Sequence, residues 1–317
     1  MESILTAQDS SLLDALDFRL PKIASYVSSR EEVVFVPSGN VFAPSGVRTL
    51  RIPISGGAFI DASSITVEAT LTNLDSTNLL VPTTCSLAGF LEELRIFMSG
   101  VEVERVGSGG LSYGRLYEQL SRAKSKEVRE NEASLELGFQ ANTSDTQGLS
   151  LIPGTLGPNS SIKCFHRPLS GLCMQKNFIP LFALTSQGLV FEYLIQGNAV
   201  APLSSQDGVL AASTSSSWQL SNIRLHCDIL HVDSNMLNSY SSHLLQAGRS
   251  LTLSGRTYST LVFSNGGSVD TLIQLPRTFT RVNQILLSFY KETGNTGQFQ
   301  TEMNTFRAPG ADFESFI

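Results

Sequence analysis

The side chains able to do chemistry are few and scattered. Cys164, His166 and Cys173 form one group, and His226, Cys227 and His231 form another. A tetrahedral zinc site needs four such ligands converging on one point. On a strand Cys164 and His166 would share a face, but His226 and His231 differ by an odd number and would point to opposite faces. No Cys-x-x-Cys pair occurs. Cys227 therefore reads as core and His226 as a polar-face residue. The neighbouring carboxylates Glu92 and Glu93, or Glu102 and Glu104, have the makings of an acid–base pair. Glu102 and Glu104 alternate with Val101 and Val103, however, which predicts two carboxylates on one solvated sheet face. No Walker phosphate cradle, dinucleotide fingerprint, His-Glu-x-x-His or Gly-x-Ser-x-Gly elbow is present, and Gly107-Ser108-Gly109-Gly110 has the spacing of a turn. The expectation is no catalytic, cofactor-binding or metal residues, no cofactor, and no enzyme.

The elements that would position these side chains are mostly strands. Ile223, Leu225, Cys227 and Ile229 alternate with Asn222, Arg224, His226 and Asp228, predicting a strand with one apolar face. Asp233 and Ser234 follow at an N-cap position. Met236, Leu237, Tyr240, Leu244 and Ala247 then recur at helical spacing up to the stop at Gly248. Ile65, Val67, Ala69 and Leu71 alternate with polar residues in the same way. Leu94–Met98 and Val101–Val106 flank Ser99-Gly100 and predict a hairpin. Further strands are predicted at 33–36, 47–54, 162–165, 178–183 and 189–195. After Gly248 they are predicted at 251–253, 258–263, 272–275 and 282–290. Helices are predicted in the N-terminal arm over 10–20 and from Ser112, whose stripe is Tyr113, Leu116, Tyr117 and Leu120, continuing to about Leu135. Residues 140–160 and 201–217 read as loops.

The chain has 317 residues, 41% hydrophobic and 16% charged, with a net charge of −6. The charged share is below the usual ~25%, which suits a turn-rich β-sandwich whose surface neighbours cover. The acidic balance argues against phosphate-backbone binding. Four scattered cysteines do not make a disulfide framework. The first residues lack a signal-peptide pattern and no apolar run is long enough to span a bilayer. A soluble, reduced protein made inside a cell is expected. About eight strands precede the joining helix, the number of a jelly roll.

Two blocks carry a family resemblance. Phe90 to Glu104, FLEELRIFMSGVEVE, followed by Tyr113 to Leu120, YGRLYEQL, resembles a hairpin-then-helix block of double jelly-roll major capsid proteins. These occur in large eukaryotic DNA viruses and related integrated virus-like elements. Leu225 to Ser234, LHCDILHVDS, the helix to Gly248, and Arg277 to Val282, RTFTRV, are similar to the junction and early second roll of that family. The resemblance runs from about Glu32 onward and implies an all-β fold. Its parts are an N-terminal arm (1–29), a first antiparallel jelly-roll sandwich (30–233), a joining helix (234–248) and a second roll (249–317) that stops after three or four strands. It implies a structural capsid protein of the virion, made in the host cytoplasm or nucleus. Self-association would give a homotrimeric, pseudo-hexagonal tile and an icosahedral shell, with other capsid proteins as further partners, no direct nucleic-acid contact and no membrane insertion. Two other classes fit the composition: a β-sandwich binding module for carbohydrate or a protein partner, and a hydrolase on a β-sandwich scaffold.

Overall fold

Alternation of apolar and polar residues makes each strand one-sided, and the strands solve this by stacking as two sheets. The computed structural model describes residues 27–78, 80, 87–108, 112–121, 156–175, 177–184, 188–197, 215–246, 257–263, 274 and 282–286. The chain divides into two compact units, residues 31–229 with 252–317, and residues 1–30 with 230–251.

Among the described residues ten strands are formed: β1 (Val27–Phe35), β2 (Val41–Phe42), β3 (Thr49–Ile54), β4 (Phe59–Asn73), β5 (Leu91–Met98), β6 (Val101–Val106), β7 (Ser161–His166), β8 (Ile179–Pro180), β9 (Leu189–Ile195) and β10 (Trp218–Val232). Helix α1 (Ser112–Ser121) follows β6, and α2 (Ser234–Gln246) follows β10. One sheet runs β1-β10-β4-β7, with β2 also on β10 and β8 on β4. The other runs β3-β9-β5-β6.

The pairing is nested. β5 pairs with β6, β4 with β7, β3 with β9, and β2 with β10, all antiparallel. This is one long hairpin, and β9 against β5 and β10 beside β4 roll it up into two sheets. The fold is a jelly roll.

The inner faces carry the core. Ile65, Val67, Ala69 and Leu71 of β4 are buried as their alternation predicts, facing Ile52 and Ile54 of β3, Leu94 and Ile96 of β5, and Phe191 and Tyr193 of β9 in one cluster. Trp218, the single tryptophan, stands edge-on to Phe90, with ring centroids 4.8 Å apart. The hairpin turns where predicted, with Ser99 at φ 52° and Gly100 at φ 84°. Two successive positive φ angles make the turn whose twist matches paired strands. Along β10, Trp218 and Leu220 are buried, and then Ile223, Leu225, Cys227 and Ile229. The phase slips by one residue at Asn222, which takes up the slip at φ 50°.

Several expectations are corrected. Residues 178–183 are not one strand: after Ile179–Pro180 the chain closes a 3-10 turn at Leu181–Ala183, where the Leu184 amide bonds the Leu181 carbonyl. Pro180 has no N–H to extend a ladder. Residues 257–263 and 282–286 are irregular instead of strands. In the first of these segments, the hydroxyls of Thr257 and Thr260 bond Glu104 and the Gly107 amide. The predicted arm helix, the helix extension to Leu135, the loop at 201–214, the stop at Gly248 and the strands at 251–253 and 272–275 lie outside the described residues, apart from residue 274. In the second unit α2 begins as predicted, with the Leu237 amide bonded to the Asp233 carbonyl at 2.9 Å.

Candidate functional site

Most of the residues first picked for chemistry end up in the core or in ion pairs, while His231 is exposed near the end of β10. Cys164 and His166 do share the inner face of β7, both fully buried. The Cys164 thiol donates to the Ala69 carbonyl across the β4–β7 ladder. The Tyr113 hydroxyl, carried by α1, accepts from the Leu169 amide and lies 2.9 Å from His166 Nε2. A hydroxyl has two lone pairs and one proton, so which of the two groups donates in this bond depends on the imidazole tautomer. His166 Nδ1 has no hydrogen-bond partner among the described residues. Burial alone pushes His166 down to about 3, so the ring stays neutral. Burial likewise pushes the thiols of Cys173 and Cys227 up to about 12, and Cys227 fills core as its place in the alternation predicts. Among the described residues no three His, Cys, Asp or Glu side chains are placed to hold a metal. Cys85 lies outside them.

Glu102 and Glu104 do not share a solvated face. Ile96 pairs with Glu104 but Phe97 pairs with Glu102, so Val103 is an extra residue in β6. That bulge inverts the alternation and turns Glu104 inward. Glu104 is 6% exposed. Its carboxylate accepts from the Gly171 amide at 2.8 Å, the Leu172 amide at 3.2 Å, the Thr257 hydroxyl at 2.9 Å and the Ser170 hydroxyl. One buried acid thus ties β6 to the 170–172 turn and to the segment after α2. A bulge leaves no mark in the pattern Val-Glu-Val-Glu, so sequence reasoning missed it.

The outer faces of both sheets carry ordered rows of charge. On the four-stranded sheet Arg51 of β3, Glu192 of β9, Arg95 of β5 and Arg105 of β6 stand opposite one another in register. Glu93 sits between Arg95 and Arg105 and pairs with both, while Glu102 pairs with Arg105 at 3.0 Å. Glu92, the other carboxylate of that pair, binds Arg48. On the six-stranded sheet, Glu32 of β1, His226 of β10, Glu68 of β4 and Lys163 of β7 form a second row across four adjacent strands. The hydrogen bond from Lys163 is the largest influence holding the Glu68 carboxyl below its ordinary value. These rows hold charges in fixed order on paired strands, beside exposed apolar side chains such as Val101 and Val103 on β6. Among the described residues no helix is long and apolar enough to cross a membrane.

Neither a protein-family model nor a curated protein sequence matches the chain significantly. Its fold is similar to solved viral capsid proteins. One is VP54 of PBCV-1, from a crystal structure fitted into a reconstruction of the virophage Sputnik, at 12% identity and a TM-score of 0.45. That match covers 71% of this chain and 47% of VP54, so the chain spans about half its length. A quasi-atomic model of the PBCV-1 capsid matches with the same coverage at a TM-score of 0.44. The Faustovirus major capsid protein matches at 11% identity and a TM-score of 0.41, over 76% of this chain and 62% of its own.

Proposed function

We propose that this chain is a structural capsid protein of the double jelly-roll kind that works by associating with copies of itself. The observation that carries the reading is the passage at the end of the roll. β10, the strand that completes the nested pairing, runs straight into α2, and the sequence beyond Gly248 again alternates in the manner of strands, although 257–263 and 282–286 are irregular. In this reading two rolls are strung on one chain, a first over 30–233, a joining helix over 234–248 and a second from 249 onward. The low charged fraction of 16% suits a subunit largely covered by neighbours. Charge rows fixed across four strands supply orientation, because complementary charges set register and partner choice more than raw affinity. In this reading the subunits form homotrimeric tiles of a virion shell, each contact burying on the order of 1,600 Å², and no substrate is turned over.

Solution mass tests this. Light scattering with negative-stain microscopy on the purified full chain should find trimers or larger closed species. A stable monomer at micromolar concentration that binds immobilised glycans would overturn the proposal and favour a β-sandwich binding module.

A further inference from the structure

The row on the six-stranded sheet carries a chemical constraint of its own. His226 Nδ1 lies 2.7 Å from Glu32 Oε1, and Nε2 lies 3.1 Å from Glu68 Oε2. A carboxylate only accepts, and a neutral imidazole has only one N–H to give. The two bonds coexist only while the ring carries both protons. We propose that His226 is a proton-operated clasp that fastens the second half of β1, residues 31–35, onto the roll.

The order of events follows from the neighbours. With the ring doubly protonated, Glu32, His226, Glu68 and Lys163 alternate in sign and balance. When the ring loses a proton the row carries one net negative charge, and one carboxylate faces a nitrogen lone pair. Glu68 keeps its 2.7 Å ion pair with Lys163 and is largely buried, whereas the Glu32 side chain is 63% exposed and has water to turn to. Glu32 is therefore the partner that lets go. Among the described residues β1 is the edge strand of this sheet, hydrogen-bonded to β10 and to no second strand.

Among the described residues of this unit, the other charged groups on this side are Arg224 and Asp228 on β10 itself and Arg167 just past the end of β7. Of the residue types present, histidine is the one whose charge changes between about pH 5 and 8. Cys227, whose thiol reaches the Val33 carbonyl at 3.8 Å, is no rival switch, because burial keeps it protonated there. The clasp belongs to the single chain and stands whether or not copies assemble.

Hydrogen exchange of the full chain, read by mass spectrometry on peptides covering 31–35 and corrected for the intrinsic pH dependence of exchange, tests it. Between pH 5.5 and 8.0 the protection of 31–35 should fall about three- to fivefold, the scale of losing one ion pair to an exposed carboxylate, while β4 and β5 peptides hold. His226→Arg keeps a permanent bidentate donor and should leave 31–35 protected at both pH values. His226→Gln should leave it weakly protected at both. If the glutamine variant does not fold, the conservative exposed change Glu32→Gln serves, and it should abolish the pH response. A wild-type response of less than twofold, or the wild-type response persisting in His226→Arg or Glu32→Gln, would overturn the clasp.

Discussion

Replacing Glu104 by alanine probes the knot that joins β6 to two distant segments. The buried carboxylate accepts four hydrogen bonds. Two of the donors have another recourse: the Leu172 amide also bonds Ser170 Oγ at 3.0 Å, and the exposed Thr257 can turn to water. The Gly171 amide and the Ser170 hydroxyl, both buried, lose the acceptor they point at. A buried polar group left unmatched costs about 1–3 kcal/mol, so Glu104→Ala should destabilise the roll by roughly 4 kcal/mol. For a domain of this size that lowers Tm by roughly 8–16 °C. Glu104→Gln keeps one carbonyl acceptor and should cost about half as much. Trp218 is the single tryptophan and is 1% exposed, so its fluorescence reports unfolding of this core in heat or urea. A Glu104→Ala protein within about 1 kcal/mol of the parent would refute the reasoning, because the donors would then have found acceptors elsewhere.

Three further outcomes are expected. His166 is held neutral down to about 3, whereas an unfolded histidine takes up its proton near pH 6.5. Below that value only the unfolded chain binds this proton, so stability falls as pH drops, by roughly 3 kcal/mol from this group by pH 4. His166→Gln, which retains a hydrogen-bonding partner for Tyr113, should show a shallower loss between pH 6.5 and 4 in urea titrations; equal slopes would count against it. Cys164, Cys173 and Cys227 are buried free thiols and should resist a thiol reagent at pH 8 until denaturant is added, which colorimetric titration reads directly. Gly188 has φ +60°, and a Cβ there would meet the Ile54 carbonyl oxygen. Gly188→Ala should therefore lose more than the roughly 1 kcal/mol of an ordinary left-handed glycine position, as measured by thermal melting, and a neutral result would show that the β8–β9 connection yields easily.

Local pattern settled much of this protein by itself. The alternation at Ile65–Leu71 and Ile223–Ile229 dictated buried faces, because a pleated strand has period two whatever lies around it. Ser99-Gly100 dictated its turn, because few residue pairs tolerate two positive φ angles. Asp233-Ser234 marked the start of α2 through capping chemistry that is local to one turn. The all-β class and the roll were legible from these signals together with the blocks around Phe90–Glu104 and Leu225–Ser234.

What the tertiary structure decided lies wherever a partner strand sets the outcome. Val101-Glu102-Val103-Glu104 alternates perfectly, yet the register with Ile96 and Phe97 inserts Val103 as a bulge and buries Glu104. Residues 178–183 are apolar enough for a strand, but β4 pairs only with Ile179–Pro180 and the chain then turns. Glu32, His226, Glu68 and Lys163 are spread over 194 residues between the first pair of partners alone, and only the order β1-β10-β4-β7 sets them side by side. Register and strand order are non-local quantities, fixed by how the long hairpin rolls up. No window of sequence contains them.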